Sequence, residues 1–216
     1  NSDDVYNILR KRLFENVASN EEITNIANAY KDAVTEAKQM GYTNISPEQI
    51  FVGIKDSYPF HPSLKDLYAR FRENPGFQQT RGLIRLMRVI VSQVYKNGKA
   101  EQKYIINPYD MDLNDTSMLA QIKSIKPSLT NAISHDIEAN GKGVAEIIDN
   151  ELGETSMSDL SKLILVASLA DVPNAVLGLS EQETIGYLAE PNKNIARLKK
   201  ALQEFTLKAW YIYSTD

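Results

Sequence analysis

The chain has 216 residues, a hydrophobic content of 43% and a net charge of -4. This length can bury one sizeable core or two small ones, and no apolar run approaches the ~18 residues of a membrane span. The absence of cysteine excludes disulfides, thiol catalysis and cysteine-based zinc sites. The weakly acidic balance argues against a protein that coats nucleic acid over its whole surface. Since no signal peptide is visible, we expect a soluble cytoplasmic protein without a membrane partner.

Helical periodicity dominates the first half of the chain. Apolar residues recur at helical spacing from Val5 to Val17 and from Ile23 to Ala37, which predicts two amphipathic helices. Shorter helices are predicted to begin near Pro47 and Pro62, because proline is favoured in the first turn of a helix. The sequence Asn-Pro-Gly then breaks the chain before a fifth helix, which Thr80 is expected to cap.

The fifth helix carries the most informative pattern in the sequence. At ~100° per residue, Arg81, Arg85 and Arg88 share a narrow arc. The opposite side is apolar and consists of Leu83, Leu86, Met87, Ile90, Val91 and Val94. No acidic residue occurs from Asn74 to Ala100, so nothing local neutralises the arginines. We therefore expect an anionic partner to face them.

The second half predicts a mixture of helices and short strands. The composition changes at Asn97-Gly98-Lys99, which we interpret as the boundary between domains 1–98 and 99–216. Strands are predicted at Tyr104–Ile106 and at Ala209–Ser214. The helices predicted between them lie at about 118–125, 128–140, 159–170, 181–189 and 195–209. The predicted fold is mainly α, with a helical first domain and a winged-helix-like α+β second domain that contains a small sheet.

The order of several motifs resembles a known family. The sequence YPFHP, then a helix, PGFQ, and TRG before an arginine-bearing helix resembles the AAA-type ATPases of bacteria and archaea that carry a domain of unknown function. These ATPases occur in anti-phage defence islands. The segments VYNILRKRLFE, LILVASL and LKAWYIY are similar to parts of the same family, in the same order. The resemblance implies that domain 1–98 is the helical lid of an ATPase.

The phosphate loop of such an ATPase is absent from this sequence. No GxxxxGK[ST] motif occurs, and the two Gly-Lys pairs are followed by Ala100 and Gly143 instead of Ser or Thr. Because the chain starts at Asn1 without Met, we expect an upstream nucleotide-binding domain in a parent protein. That domain is the expected partner and would hold ATP and Mg²⁺. The chain alone is expected to lack a cofactor, a metal site and ATPase activity.

By the same resemblance, Arg81 takes the place of the sensor arginine near the start of a lid helix. A guanidinium group stays charged and can bridge phosphate oxygens through two hydrogen bonds. The alternative is a solvated arginine or one paired with a carboxylate. For Arg85 and Arg88, the alternative to nucleotide binding is an ion pair with the upstream domain.

His61 and an acidic segment also invite functional interpretations. His61 has no Cys, Ser or second His placed for a triad or a metal site, so we expect it to cap and pack the following helix. The resemblance instead places it near the adenine or at a domain boundary. Asp110 and Asp112 begin a calcium-like pattern, but Asp115 and Gln121 occupy positions that require Gly and Glu. We expect these acidic residues to cap the next helix.

A second interpretation is that the chain is a nucleic-acid-binding or protein-binding module with no nucleotide role. Arg197, Lys200 and Lys208 approach one face of the last helix, where a winged helix could contact a DNA backbone. Glu204 interrupts this face, and a solvated surface is the alternative. By family resemblance, the parent protein would act in phage defence or in a DNA transaction, with DNA or defence-system proteins as partners.

Overall fold

The computed structural model describes residues 4–212, and the regular structure in this range is helical. The α-helices are α1 (Asp4–Leu13), α2 (Asn20–Gln39), α3 (Pro47–Ser57), α4 (Ser63–Phe71), α5 (Gln79–Lys96), α6 (Thr116–Ile125), α7 (Thr130–Ala132), α8 (Val144–Leu152), α9 (Ser156–Ala167), α10 (Glu181–Leu188) and α11 (Ile195–Lys208). Short 3₁₀ turns occur at Ala100–Gln102 and Pro127–Leu129, and a π-helix at Ile133–Ile137. Within these residues, no helix has the length and apolar character needed to cross a membrane.

Side-chain caps fix the starts of several helices. Ser46, Asp115 and Ser180 each accept a hydrogen bond from the backbone N–H three residues later, which satisfies one of the free donors at a helix start. The helix starts predicted near Pro47 and at residue 181 are confirmed. Asp115 is the cap of α6, because the helix begins at Thr116.

The start of α5 differs from the prediction. The helix begins at Gln79, after Gln78 in a left-handed conformation with φ of 64°, and no side chain caps it. Thr80 lies inside the first turn, so its predicted capping role is wrong. Gly82 is needed because a Cβ atom there would lie 2.0 Å from the carbonyl oxygen of Phe77. The glycine of the TRG motif therefore lets the preceding segment fold closely against the helix.

One apolar core runs through the described part of the chain. The predicted apolar side of α5 is confirmed, since all six of its residues are buried. Helix α9 contacts α4, α8, α10 and α11, and most of its side chains are buried, as expected of a helix surrounded by others. The core cluster includes residues on both sides of position 98. The division into domains 1–98 and 99–216 stays a prediction.

The predicted small sheet is wrong, and with it the winged-helix-like α+β domain. Tyr104–Ile106 forms no strand with any residue in the described range 4–212, where its pairing is an isolated parallel bridge between Ile106 and Phe60. The His61 N–H donates to the Ile106 carbonyl at 2.9 Å, and the Ile106 N–H donates to the Pro59 carbonyl at 2.8 Å. The segment is therefore held by the turn before α4. The mainly α part of the prediction is confirmed.

The second predicted strand is also missing from the residues that the structure describes. Ala209–Ile212 is irregular, and positions 213–214 of the prediction lie outside the described residues. The N–H groups of Trp210 and Tyr211 donate to the carboxylate of Asp136 at 3.0 and 2.7 Å, so they have no need of a neighbouring strand. The Trp210 ring stacks on His135 with centroids 4.2 Å apart.

The region around residue 140 contains a helix that the sequence reading missed. The single helix predicted at 128–140 is a succession of 3₁₀, α and π turns that ends at Ile137. Helix α8 follows, and its Glu146 carboxylate accepts hydrogen bonds from the N–H groups of Ala139, Gly141 and Gly143. This carboxylate orders the turn before α8 as a side-chain cap would.

Asn74 joins three parts of the chain. Its side chain is buried, and its amide nitrogen donates to the carbonyls of Leu169 at 2.7 Å and Ile125 at 3.4 Å. Its amide oxygen accepts from the Asp171 N–H at 2.7 Å. The Asn-Pro-Gly break therefore ties the loop before α5 to the ends of α6 and α9, and holds α5 in place.

Candidate functional site

The arginine face consists of Arg81, Arg85 and Arg88 on α5. All three side chains are exposed, as the helical spacing predicts. Among residues 4–212, none of them forms an ion pair, and the polar contact of their guanidinium groups is a bond of 3.4 Å from Arg85 to the Gln78 amide oxygen. The three guanidinium groups are therefore free to bind an anion.

Neighbouring residues extend this face and leave its charge uncompensated. Tyr95 is 60% exposed and Lys96 is exposed, so the basic surface continues along α5 for roughly 20 Å at 1.5 Å per residue. The acid nearest in sequence to the three arginines, Glu73, is engaged by Arg72 at 3.2 Å and by Gln79 at 3.2 Å. A row of guanidinium groups with this spacing suits phosphate groups, which accept pairs of hydrogen bonds.

His61 lies beneath the surface, at the start of α4. It is 1% exposed, and its Nδ1 accepts a hydrogen bond of 3.1 Å from the Ser63 N–H. Burial lowers the pKa of His61 to about 3, so the ring is neutral near pH 7. Because Nδ1 accepts the hydrogen bond from Ser63, the ring proton is assigned to Nε2. That Nε2 atom has no hydrogen-bond partner in the described residues. The ring lies between Tyr30 and Tyr187, with centroids 6.2 Å from each.

This environment makes His61 a cap and packing residue in the structure. The Nδ1 atom satisfies the first N–H of α4, as a side-chain cap does. Contact between His61 and a nucleotide would require the ring to become uncovered. A role in cofactor binding stays a prediction.

The basic face of α11 is partly neutralised. Arg197 lies 3.5 Å from the Glu154 carboxylate and Lys208 lies 2.7 Å from the Glu204 carboxylate. Lys200 is exposed and has no ion pair among residues 4–212. Because two of the three cations have acidic partners, this face offers less free positive charge than the arginine face. DNA binding by α11 stays a prediction.

A charged cavity of about 220 Å³ was not identified from the sequence. It lies between the end of α5, the segment 97–112, the start of α9 and the loop after α10. Its polar lining includes Gln93, Tyr109, Asp110, Asp159, Lys162 and Glu190. These residues are far apart in sequence, so no local pattern could have brought them together.

Two ion pairs lie in or beside this cavity. The Lys103 ammonium is 2.8 Å from the Asp110 carboxylate, and burial raises the pKa of Asp110 although Lys103 opposes the rise. The Lys162 ammonium pairs with Glu138 and donates to the Met111 carbonyl at 2.7 Å. Asp110, proposed from its sequence pattern as a cap for the next helix, is instead held by Lys103.

Lys193 is shared between two acidic residues of the cavity. Its ammonium lies 3.4 Å from Asp159 and 3.4 Å from Glu190. Burial lowers the pKa of Lys193, but the two carboxylates raise it further, and the net shift is upward. One ammonium group therefore compensates two carboxylates at rather long distances.

Tyr109 also lines this cavity. The residue is 3% exposed, and its hydroxyl forms no hydrogen bond within the described range. Burial raises the pKa of Tyr109, and the charges of Glu190, Asp159 and Asp110 raise it further. The hydroxyl therefore stays protonated in a surrounding of negative charge.

The comparisons with known proteins identify a family but no similar individual protein. A sequence model of the family described as DUF499 second domain matches residues 1–193. The match includes the arginine face, His61 and the charged cavity, while α11 lies beyond it. No curated protein and no solved structure matches the chain. The family match carries no information about an ATPase or about phage defence.

Proposed function

We propose that this chain, which belongs to the family of DUF499 second domains, is a helical module of a larger AAA-type ATPase. In this proposal a different domain binds ATP and Mg²⁺, and Arg81 reaches the phosphate groups from the side. The words "second domain" in the family description suit a module that works beside another domain. The motif resemblance to AAA-type ATPases supplies the reaction, and it also suggests a cytoplasmic role in phage defence or a DNA transaction.

The observation that carries the proposal is the exposed, unpaired arginine face. Arg81 is the third residue of α5, where the helix dipole favours negative charge. The start of α5 has no side-chain cap, and its first turn contains no acidic residue that would compete with a phosphate. A guanidinium group in this place can stabilise the charge that develops during phosphoryl transfer.

The test of this role is a steady-state ATPase assay on the full-length parent protein. Arg81→Ala should lower kcat about a hundredfold or more, as loss of a positioned transition-state donor does. Arg81→Lys should restore the charge without the planar fork, and should recover only part of the rate. Arg197→Ala, an exposed arginine outside the face, is the matched control. Unchanged turnover in Arg81→Ala, with an unchanged melting temperature, would refute the role of Arg81.

The isolated chain should not bind ATP tightly. It has no phosphate loop, and no group of three or more His, Cys, Asp or Glu residues within 4–212 is placed to hold a metal ion. Calorimetric titration with Mg-ATP at micromolar protein concentration should therefore give no saturable heat. Sub-micromolar binding would contradict the assignment of the nucleotide to another domain.

A binding module for nucleic acid is the second candidate function. The observation in its favour is the length of the basic surface, since Tyr95 and Lys96 extend it beyond the reach of one nucleotide. Arg85→Gln and Arg88→Gln would then each reduce the salt dependence of DNA or RNA binding by roughly one unit of log-log slope. Fluorescence anisotropy across a salt series measures this slope. A lost slope with normal ATPase activity would favour this second function.

A further inference from the structure

An exposed stripe of side chains runs along most of α5. Its members are four cations and one aromatic residue, namely Arg81, Arg85, Arg88, Lys96 and Tyr95. At ~100° and ~1.5 Å per residue, they lie within an arc of about 100° and along roughly 20 Å of the helix axis. None of the four cations forms an ion pair with a residue in the described range 4–212. These five residues, the α5 stripe, therefore form a line of uncompensated positive charge that suits a linear polyanion.

Tyr95 adds an open aromatic surface to this line of charge. Its side chain is 60% exposed, and its ring has no stacking partner and no overlying cation among the described residues. Two other aromatic rings at the surface are engaged within the protein. The Trp210 ring stacks on His135 with centroids 4.2 Å apart, and the Lys55 ammonium lies 5.5 Å from the centroid of the Phe51 ring. The Tyr95 ring is left free to contact a group from outside the chain.

We infer that the α5 stripe binds single-stranded nucleic acid, with its cations on the phosphate groups and Tyr95 stacked on a base. This inference rests on the second candidate function, nucleic-acid binding, and names the form of nucleic acid that is bound. Proteins that bind single strands combine a positively charged track for the backbone with aromatic rings on which the bases stack. The stripe is long enough for roughly four to six nucleotides, at about 3.4 Å per stacked nucleotide and more in an extended strand.

Other anionic partners use only part of the α5 stripe. A mononucleotide cannot reach from Arg81 to Tyr95, which are about 20 Å apart along the helix axis. A duplex can contact the cations, but its bases are stacked on one another and offer no face to Tyr95. An acidic protein surface can also contact the cations, but its carboxylates do not stack on an aromatic ring. A single strand is the partner that uses both the charge and the ring.

The experiment is a fluorescence-anisotropy titration of a labelled oligothymidine of about twelve nucleotides with the whole chain, at low salt and without ATP. Tyr95→Ala should weaken binding of this single strand about tenfold, as loss of one base-stacking contact does. The same strand annealed to its complement should bind Tyr95→Ala within about twofold of the original chain, because a duplex has no free base face. Tyr95→Phe keeps the ring and should restore binding of the single strand.

Tyr211→Ala is the matched control. This tyrosine is 46% exposed but follows α11, so its replacement should leave binding of oligothymidine unchanged. A loss in Tyr211→Ala together with undiminished binding in Tyr95→Ala would place the contact beside α11 and would overturn the inference. Equal losses of single-strand and duplex binding in Tyr95→Ala would also overturn it.

The remaining outcomes separate this inference from the functions proposed above. Equally tight binding of a polyglutamate peptide of matched charge would overturn the inference, because such a peptide has no bases. Duplex binding tighter than single-strand binding would contradict the inference and leave the second candidate function standing, whereas no binding of either form at low salt would refute both. Because the assay contains no ATP, failure here would leave the role of Arg81 in ATP turnover unaffected.

Discussion

The arginine face and the charged cavity both concentrate charge, but they differ in their exposure to water. On the arginine face, solvent stabilises the guanidinium groups, so they persist without partners and stay available for an incoming anion. In the cavity, most charges are removed from water and are stabilised by opposite charges within the protein. Removing charges from the arginine face should therefore alter anion binding with little effect on the free energy of unfolding. Removing charges from the cavity should chiefly lower the free energy of unfolding. The following predictions test this difference.

The largest effect should come from breaking the buried pair beside the cavity. The side chains of Lys162 and Glu138 are 9% and 10% exposed. Lys162→Met would leave the Glu138 carboxylate without its cation, which costs about 3–5 kcal/mol for a buried pair. Urea unfolding should show a lower midpoint with an unchanged slope.

The double variant Lys162→Met with Glu138→Leu is the control for that prediction. It removes both charges and should recover a large part of the lost free energy of unfolding, because no unpaired charge remains. A loss below about 1 kcal/mol in the single variant would mean that the pair behaves like a surface ion pair. This result would contradict the claim that charges in the cavity matter more for stability than charges on the arginine face.

An intermediate effect should come from the buried His61. Its pKa is about 3 in the folded chain and 6.5 in the reference state, so the unfolded chain takes up the proton first as the pH falls. Folding stability is complete above pH 6.5 and is lost progressively down to about pH 3. At pH 4.5 the loss of unfolding free energy due to this residue should be on the order of 2–3 kcal/mol.

A His61→Asn variant tests this pH dependence. Asparagine can still accept a hydrogen bond from the Ser63 N–H but does not titrate, so its stability should fall less steeply between pH 6.5 and 4.5 than that of the original chain. Urea midpoints at several pH values give the two slopes. Parallel slopes would show that the pKa of His61 is not lowered in the folded chain.

The smallest effect on stability should come from the arginine face. Replacing Arg81, Arg85 and Arg88 together by Gln should change the free energy of unfolding by less than about 0.5 kcal/mol, because the three side chains are exposed and unpaired. Arg10 is the contrasting control, since its guanidinium donates to the carbonyls of Asp56 and Tyr58 at 2.8 and 2.9 Å. Arg10→Gln should destabilise by roughly 1–3 kcal/mol. A similar loss in both variants would contradict the distinction.

The sequence predicted correctly those features that depend on residues close together in the chain. The buried side of α5 and the starts of α3 and α10 follow from helical spacing and from the residues near each helix start, so the sequence was sufficient for them. The strand predicted at Tyr104–Ile106 was wrong because a tertiary contact, the bridge between Ile106 and Phe60, satisfies its backbone. Apolar alternation shows that a segment is half buried, but it does not show what covers it.

The same difference between local and long-range contacts explains why the sequence predicted the arginine face but not the charged cavity. The arginine face lies on one helix, and its spacing alone predicted its exposure. The charged cavity brings together Tyr109, Asp159 and Glu190 from segments that are distant in sequence, and only the tertiary fold makes them neighbours. A buried charge has no signature of its own in the sequence, because the same residue types are common on surfaces.

The contacts of Asn74 have a consequence for the chemical durability of the protein. Asparagine deamidates when the backbone nitrogen of the next residue attacks its side-chain amide, and Pro75 has no N–H with which to do so. The amide that joins the ends of α6 and α9 is therefore protected from the slow conversion to a carboxylate, which would face the carbonyls of Leu169 and Ile125. Asn97, exposed and followed by a glycine, lacks this protection, so ageing should alter the end of α5 and spare the junction beneath it.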